Sequence, residues 1–183
     1  MAIVLLCVFD GQTTSLDLSI GNSDFLSAQY DNSLGKDNYR WISSHEASRA
    51  TPEEAKQYVE STGVDILARA VGNMHGMLKS MVEGETRKRL DIMRIAQIKS
   101  AARVPLTLHG GSGTDDEDFR KAIAAGVNIV HINTELRVAW RRGLENGLAK
   151  QPDEVVPYKI LPFAVESLKQ VARSRLRLFN GDR

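Results

Sequence analysis

Polar side chains suited to binding or catalysis occur at three places, each directly after or within a short apolar run. His75 and Gly76 follow the first run, His109 and loop 110–113 follow the second, and His131 ends the third. Histidine is a common zinc ligand, and a catalytic zinc normally takes three protein ligands plus water. His75 and His109 are therefore candidate metal ligands. His131 is a candidate third ligand, substrate contact or structural residue.

The loop Gly110-Gly111-Ser112-Gly113 has the composition of an anion-binding turn. Small residues after a strand let backbone N–H groups approach an anion, and the start of the following helix adds positive charge. The hydroxyls of Ser112 and Thr134 add further donors. The loop matches neither a dinucleotide fingerprint nor a Walker A motif. It predicts a phosphate site, and the alternative is a tight turn without a ligand.

Two further groups of charged residues lie near these loops. Lys79, four residues after His75, could neutralise a phosphate as a point charge or could be a solvated loop lysine. Asp115, Asp116 and Glu117 begin a predicted helix, where acidic residues favour the positive end of the helix dipole. We therefore interpret these three as structural.

After residue 50, the sequence predicts alternating helices and strands that would position these groups. Thr51 and Glu54 form a capping box, and Gly63 ends the helix that follows. A second capping box pairs Thr114 with Glu117. Short apolar strands between helices favour a parallel sheet covered by helices. The predicted strands are 64–71, 104–108 and 127–132, and the later helices are about 85–102, 114–126, 134–150 and 162–179.

The spacing of the histidines fits repeated βα units. His75 and His109 are 34 residues apart, and one unit of a (β/α)8 barrel takes about 31 residues. An open doubly wound sheet would fit this spacing equally well. In both folds the carboxyl ends of the strands carry the functional residues.

Three segments, in this order and spacing, resemble the class II fructose-bisphosphate aldolases. They run from Thr62 to Gly76, from Val104 to Gly113 and from Ile132 to Leu136, and the resemblance covers about residues 42–180. It implies a (β/α)8 barrel, usually dimeric or larger. The implied reaction cleaves fructose 1,6-bisphosphate reversibly to dihydroxyacetone phosphate and glyceraldehyde 3-phosphate.

The resemblance also implies roles for individual residues. His75 and His109 match two of the three zinc histidines, and His131 stands where the family usually has an asparagine that contacts substrate. Zinc would act as a Lewis acid on the ketose oxygens, so no Schiff-base lysine is needed. The implied substrate-binding residues are Gly76, Gly110, Gly111, Ser112, His131, Ile132, Asn133 and Thr134.

Part of the family's pattern is missing. The third zinc histidine and the catalytic aspartate form an Asp-His pair in the family, and this sequence contains no such pair. Catalytic residues thus stay unassigned, although residues 43–46, which include His45, resemble the family's acidic mobile loop and make Glu46 a candidate proton carrier. A complete barrel needs at least about 200 residues. We therefore expect the C-terminal part of a barrel over residues 42–183, after an atypical segment at 1–41, and we expect the chain to associate, to be marginally stable or to belong to a longer gene product.

Composition limits the remaining classes of function. The 183 residues are 42% hydrophobic with a net charge of +1, which is ordinary for a globular protein. A pI near 7.9 argues against nucleic-acid binding, so we assign the basic residues Arg141, Arg142, Arg173, Arg175 and Arg177 to solvated helix faces. No apolar run approaches the roughly 20 residues that span a membrane. Because the single cysteine, Cys7, cannot form an internal bridge, we expect a cytoplasmic protein.

The sequence thus predicts a zinc-dependent class II fructose-bisphosphate aldolase in truncated form, binding a phosphosugar and forming a homo-oligomer. One alternative is an aldolase of the same family that acts on tagatose 1,6-bisphosphate. Another is a non-catalytic phosphosugar-binding subunit or one that depends on a partner.

Overall fold

Helices alternate with parallel strands through most of the chain. The computed structural model describes the backbone of residues 3–5 and all of residues 50–181. Its elements are β1 (Ile3–Leu5), α1 (Pro52–Thr62), β2 (Leu67–Ala68), α2 (Lys79–Glu83), α3 (Ile92–Ala102), β3 (Leu106–Leu108), α4 (Asp116–Ala124), β4 (Val127–His131), α5 (Thr134–Lys150) and α6 (Pro157–Phe179).

The described strands form one parallel sheet in the order β1-β4-β3-β2. The last three strands lie in sequence order, with a helix between successive strands. An open doubly wound sheet would instead reverse its order at a switch point. In a closed barrel the first strand lies beside the last, and β1 pairs with β4 in this way. The arrangement is that of an incomplete (β/α)8 barrel and confirms the predicted fold class.

Helices cover the sheet through a single apolar core. Strand residues alternate direction, and α3, α4 and the end of α6 bring aliphatic and aromatic side chains against them. Phe119 is fully buried and packs edge-on against Phe179, with ring centroids 5.0 Å apart. The largest side chains that are less than 2% exposed are Phe119, Leu67, Ile95, Ile98, Leu108, Val130 and Thr114.

Two predicted helices have the expected boundaries, and a third begins later. α1 has its capping box at Thr51 and Glu54 and ends before Gly63 at φ +68°, and α5 spans 134–150 as predicted. α3 begins at Ile92 rather than near residue 85. The N–H of Lys88 donates to Gly113 and the N–H of Leu90 donates to the Asp118 carboxylate, so this stretch is held extended.

Other boundaries also differ from the prediction. β2 is limited to two residues, because the Val71 N–H turns away to donate to the side chain of Asn73. Asp115, not Thr114, caps α4 by accepting two backbone N–H groups. α6 begins at Pro157, five residues before the expected start, and carries Pro162 inside it. α2 was not predicted.

α5 and α6 pack closely because two glycines face α6. A Cβ at Gly143 would lie 2.7 Å from the Cα of Ala164, and one at Gly147 would lie 3.0 Å from the Phe163 ring. Small residues at this spacing let helix backbones approach. Among the described residues, no helix has the length and apolar character needed to cross a membrane.

Candidate functional site

The loops after β2, β3 and β4 meet at the carboxyl edge of the sheet. The His75 and His109 rings lie 6.0 Å apart between centroids, at an interplanar angle of 29°. His109 also meets His131, with 3.1 Å between their Nδ1 atoms. Asn73 joins the first two loops by donating its side-chain N–H to the His109 carbonyl. The structure therefore brings together the three histidines that the sequence singled out.

These histidines do not make a complete zinc site by themselves. A catalytic zinc takes three protein ligands and a water. Within residues 50–181, no group of three or more histidine, cysteine, aspartate or glutamate side chains has the geometry to hold a metal ion. His75 is exposed, and His109 and His131 are half-buried. The described residues thus bring two predicted ligands near each other without a third.

Backbone hydrogen bonds hold the glycine-rich loop against the end of β4. The Gly111 N–H donates to the His131 carbonyl, and the Thr114 N–H donates to Gly111. Gly111 is buried, and a Cβ there would lie 2.9 Å from the His131 oxygen. The loop therefore has its predicted position, and its backbone lies close to the last strand.

Ser112 connects this loop to the start of α5. Its hydroxyl oxygen accepts the N–H groups of Asn133 and Glu135, at 3.1 and 3.3 Å. Ser112 is only 3% exposed, and Thr134 is the first residue of α5. With both lone pairs of its oxygen used, the Ser112 hydroxyl retains an O–H donor.

Gly110 lies against the loop that follows β2. Its φ of +61° favours glycine, and a Cβ would overlap the carbonyl of Met74. Loops 74–77 and 110–113 are therefore in backbone contact. Gly76, another predicted substrate-binding residue, lies in the first of them.

Lys88 is buried beneath these loops and was not predicted as a site residue. Its Nζ donates to the carbonyls of Met74 and Gly76, each at 2.6 Å, and to that of Gly110 at 3.0 Å. Burial lowers the pKa of Lys88 to about 8, and the Glu135 carboxylate partly offsets that effect. The Arg87-Lys88-Arg89 run is typical of a solvated segment, so the local pattern does not predict that Lys88 is buried.

Glu135 holds the other end of the glycine-rich loop. Its carboxylate accepts the Gly113 N–H at 2.8 Å and the Arg175 Nε at 2.6 Å. Arg175 also pairs with Asp116. The assignment of Arg175 to a solvated helix face is therefore wrong, because its side chain is 19% exposed and ties α6 to α4 and α5. Glu135 lies inside the third motif, but the motif alone does not reveal its role.

The remaining predicted residues that the structure describes have other roles. Lys79 begins α2 with an 86% exposed side chain and pairs with Glu83, as a solvated lysine would. Asp115 caps α4, and Asp116 and Glu117 lie in its first turn, which confirms their structural interpretation. His45 and Glu46 lie outside the described residues. Ile132 is 2% exposed and belongs to the core.

Comparison with known proteins identifies the family. Residues 31–182 match the family model described as fructose-bisphosphate aldolase class-II. The chain belongs to this family. Membership agrees with the sheet order, with the meeting of three strand ends and with the positions of the three motifs.

Solved structures agree with this aldolase assignment. The YdjI aldolase from Escherichia coli K12 is 30% identical, with a TM-score of 0.59 over 73% of this chain and 47% of that one. A fructose-bisphosphate aldolase from Campylobacter jejuni is 19% identical, with a TM-score of 0.61 over 73% of this chain and 46% of that one, and supports the fold alone. The chain thus spans less than half the length of either protein.

Proposed function

We propose that this chain supplies the phosphosugar-binding half of a class II aldolase site. The complete site would cleave fructose 1,6-bisphosphate reversibly to dihydroxyacetone phosphate and glyceraldehyde 3-phosphate. The observation that carries the proposal is that the loops after β2, β3 and β4 meet at one edge of the sheet in a member of this family. In barrels, the loops after the last two strands often form the phosphate site.

The proposed binding residues divide by the type of contact that they offer. Gly76, Gly110 and Gly111 would approach the dihydroxyacetone phosphate group with backbone, and Ser112 would offer its remaining O–H. Asn133 and Thr134 would bind on the phosphate side, where the start of α5 favours an anion. His131 would donate a hydrogen bond in place of the family's asparagine. Ile132 would contribute backbone only, because its side chain lies in the core.

We propose that His75 and His109 supply two ligands to a zinc ion. The family is generally metal-dependent, and two adjacent imidazoles suit a borderline-soft divalent cation. Zinc titration against a chromophoric chelator tests this assignment without any need for turnover. We expect His75→Ala and His109→Ala each to weaken zinc binding at least about tenfold. Asp153→Ala, an exposed substitution, is the control, and unchanged zinc binding in both histidine variants would rule out the assignment.

Calorimetry and a coupled retro-aldol assay test the proposed function. We expect dihydroxyacetone phosphate to bind, and the chelator to weaken that binding. The absence of binding with and without metal would refute the site. Turnover should be measured with fructose 1,6-bisphosphate and with tagatose 1,6-bisphosphate, because faster cleavage of the second sugar would favour the alternative substrate.

The second candidate function is a non-catalytic phosphosugar-binding subunit. One observation favours it: residues 50–181 hold fewer metal ligands than a catalytic zinc site needs. Binding of dihydroxyacetone phosphate without turnover would support this candidate. Turnover by the purified chain alone would eliminate it.

We also propose that the chain forms a homo-oligomer. α6 exposes apolar side chains at Tyr158, Leu161 and Val165, which are 75%, 43% and 46% exposed. Their i, i+3 and i+7 spacing puts these side chains on one face of the helix, and an exposed apolar face marks association sites. Light scattering should give a mass above 20.3 kDa, and Leu161→Lys should lower it. A monomer at micromolar concentration would contradict the proposal.

A further inference from the structure

The ammonium group of Lys88 has a complete set of partners that all come from the candidate site. Lys88 is 4% exposed, and its Nζ contacts the carbonyl oxygens of Met74, Gly76 and Gly110 at 2.6, 2.6 and 3.0 Å. An ammonium has three N–H donors, so each donor has one acceptor. These bonds connect the loop after β2 to the loop after β3.

The backbone of Lys88 is bound to the same region. Its N–H donates to the Gly113 carbonyl at 2.8 Å, and its carbonyl accepts the Asp115 N–H at 3.1 Å. Lys88 and Thr114 form a parallel bridge. The residue is therefore fixed beside the glycine-rich loop at its backbone and beneath both loops at its side chain.

The three carbonyls also indicate how the ammonium orients the loops. In a trans peptide, the carbonyl and the N–H of the next residue point in opposite directions. Holding the carbonyls of Gly76 and Gly110 toward Lys88 therefore turns the N–H groups of Met77 and Gly111 away from it. Without the Lys88 amino group, three carbonyl dipoles would converge with no donor between them, a costly arrangement for partly buried groups.

Among the residues that the structure describes, no carboxylate is in direct contact with the Lys88 ammonium. Its partners are neutral carbonyls, and the nearby Glu135 carboxylate binds Gly113 and Arg175 instead. A positive charge in a partly desolvated setting acts on an anion more strongly than it would in water. The sequence predicts a phosphate site at the loops that this charge underlies.

We propose that Lys88 is a built-in cation of the phosphosugar site, which positions loops 74–77 and 110–113 and supplies positive charge beneath them. It is a positioning residue, since its donors are all used within the protein. The phosphate part of this inference rests on the proposed function, whereas the positioning part can be measured without substrate.

The positioning test compares amide hydrogen exchange in the wild type and in Lys88→Ala. We expect faster exchange at residues 74–77 and 110–114 in the variant. Ammonium chloride should restore slow exchange, because the ammonium ion can donate to the three carbonyls in the vacated space. Tetramethylammonium chloride at equal ionic strength should not, since it has no N–H donor. Unchanged exchange in the variant, or equal effects of the two salts, would overturn the proposal.

The charge test measures calorimetric binding of dihydroxyacetone phosphate. We expect Lys88→Ala to weaken binding at least about tenfold, with recovery in ammonium chloride. The matched control is Lys99→Ala, which also loses internal Nζ bonds, to Val104 and Asn128, but lies away from the loops. Equal weakening in both lysine variants, or none in Lys88→Ala, would overturn the charge role.

The two tests separate the possible failures. If the wild type binds no dihydroxyacetone phosphate, then the proposed function and the charge role both fail. The exchange result then decides independently whether Lys88 positions the loops. If the wild type binds and Lys88→Ala binds equally well, the proposed function survives and the inference about Lys88 is wrong.

Discussion

Opposite charges hold the backbone of the glycine-rich loop at its two ends. The Lys88 ammonium donates a hydrogen bond to the Gly110 carbonyl, and the Glu135 carboxylate accepts one from the Gly113 N–H. Both side chains are largely buried, so neither bond competes freely with water. The shape of the candidate phosphate site therefore depends on two charged residues that lie around the loop.

Lys88 makes the stability of the fold depend on pH in the alkaline range. Its pKa falls from 10.5 to about 8 on folding, chiefly through burial. Between these values the unfolded chain binds more protons at Lys88 than the folded chain does. The contribution of Lys88 to the free energy of unfolding must then rise with pH, by about 1–3 kcal/mol across the window.

Urea unfolding of the wild type and of Lys88→Met at pH 7.5 and pH 10 measures this effect. The difference between the two proteins removes the contribution of all other titrating groups, which they share. We expect the free energy of unfolding of the wild type to increase relative to that of the variant as the pH rises. A constant difference, or one that shrinks, would contradict the lowered pKa.

The candidate residues that could be predicted from the sequence are those whose side chains are common in catalytic and metal sites. His75, His109 and His131 stand beside short apolar runs, and the structure does bring them together. Lys88 escaped this reasoning because a lysine between two arginines has the pattern of a solvated segment. Its burial depends on carbonyl groups 12 to 22 residues away in the chain, and no local pattern encodes these contacts.

Among the described elements, helices α5 and α6 have the most extensive contact with each other. Gly143 faces the backbone of α6, with a would-be Cβ 2.7 Å from the Phe163 carbonyl oxygen and 2.8 Å from the Ser167 Cβ. Gly147 has more room, since a Cβ there would lie 3.0 Å from the Phe163 ring and 3.1 Å from the Ile160 carbonyl oxygen. The interface between α5 and α6 should therefore accept a methyl group less easily at Gly143 than at Gly147.

Gly143→Ala should lower the free energy of unfolding by about 1–2 kcal/mol. Alanine gains up to about 1 kcal/mol in helix propensity, but the overpacking against α6 costs more. Gly147→Ala is the matched comparison and should be closer to neutral. Thermal or urea unfolding of both variants gives the order. A Gly143→Ala variant as stable as the wild type would show that the helices can separate at little cost.

Element boundaries were predictable where the signal is local. Thr51, Glu54 and Gly63 interact within a few residues, so the limits of α1 follow from the sequence. α3 begins late because Asp118, 28 residues beyond Leu90, takes that residue's N–H. The last helix begins before the predicted residue 162, because Pro157 fills the first-turn position and α6 continues through Pro162. These boundaries depend on the tertiary structure, which local sequence patterns do not encode.

At the scale of the whole molecule, the sheet joins two distant parts of the chain. Successive βα units place β2, β3 and β4 side by side, whereas β1 reaches the sheet by pairing with the last of them. The repeat spacing predicted the first relation. It did not predict the pairing of β1 with β4, because that pairing depends on the order of the strands around the sheet.

The pairing of β1 with β4 affects the order in which the strands join the sheet during folding. Ile3 and its partner Ile129 lie more than a hundred residues apart in the sequence. At about 5–20 residues per second, translation separates the two by roughly 6–25 s. Local βα contacts form much faster than that, so β1 should join the sheet after the other described strands. In pulsed hydrogen exchange during refolding, the amides of Ile3–Leu5 should gain protection after those of β3, and simultaneous protection of the two strands would contradict this order.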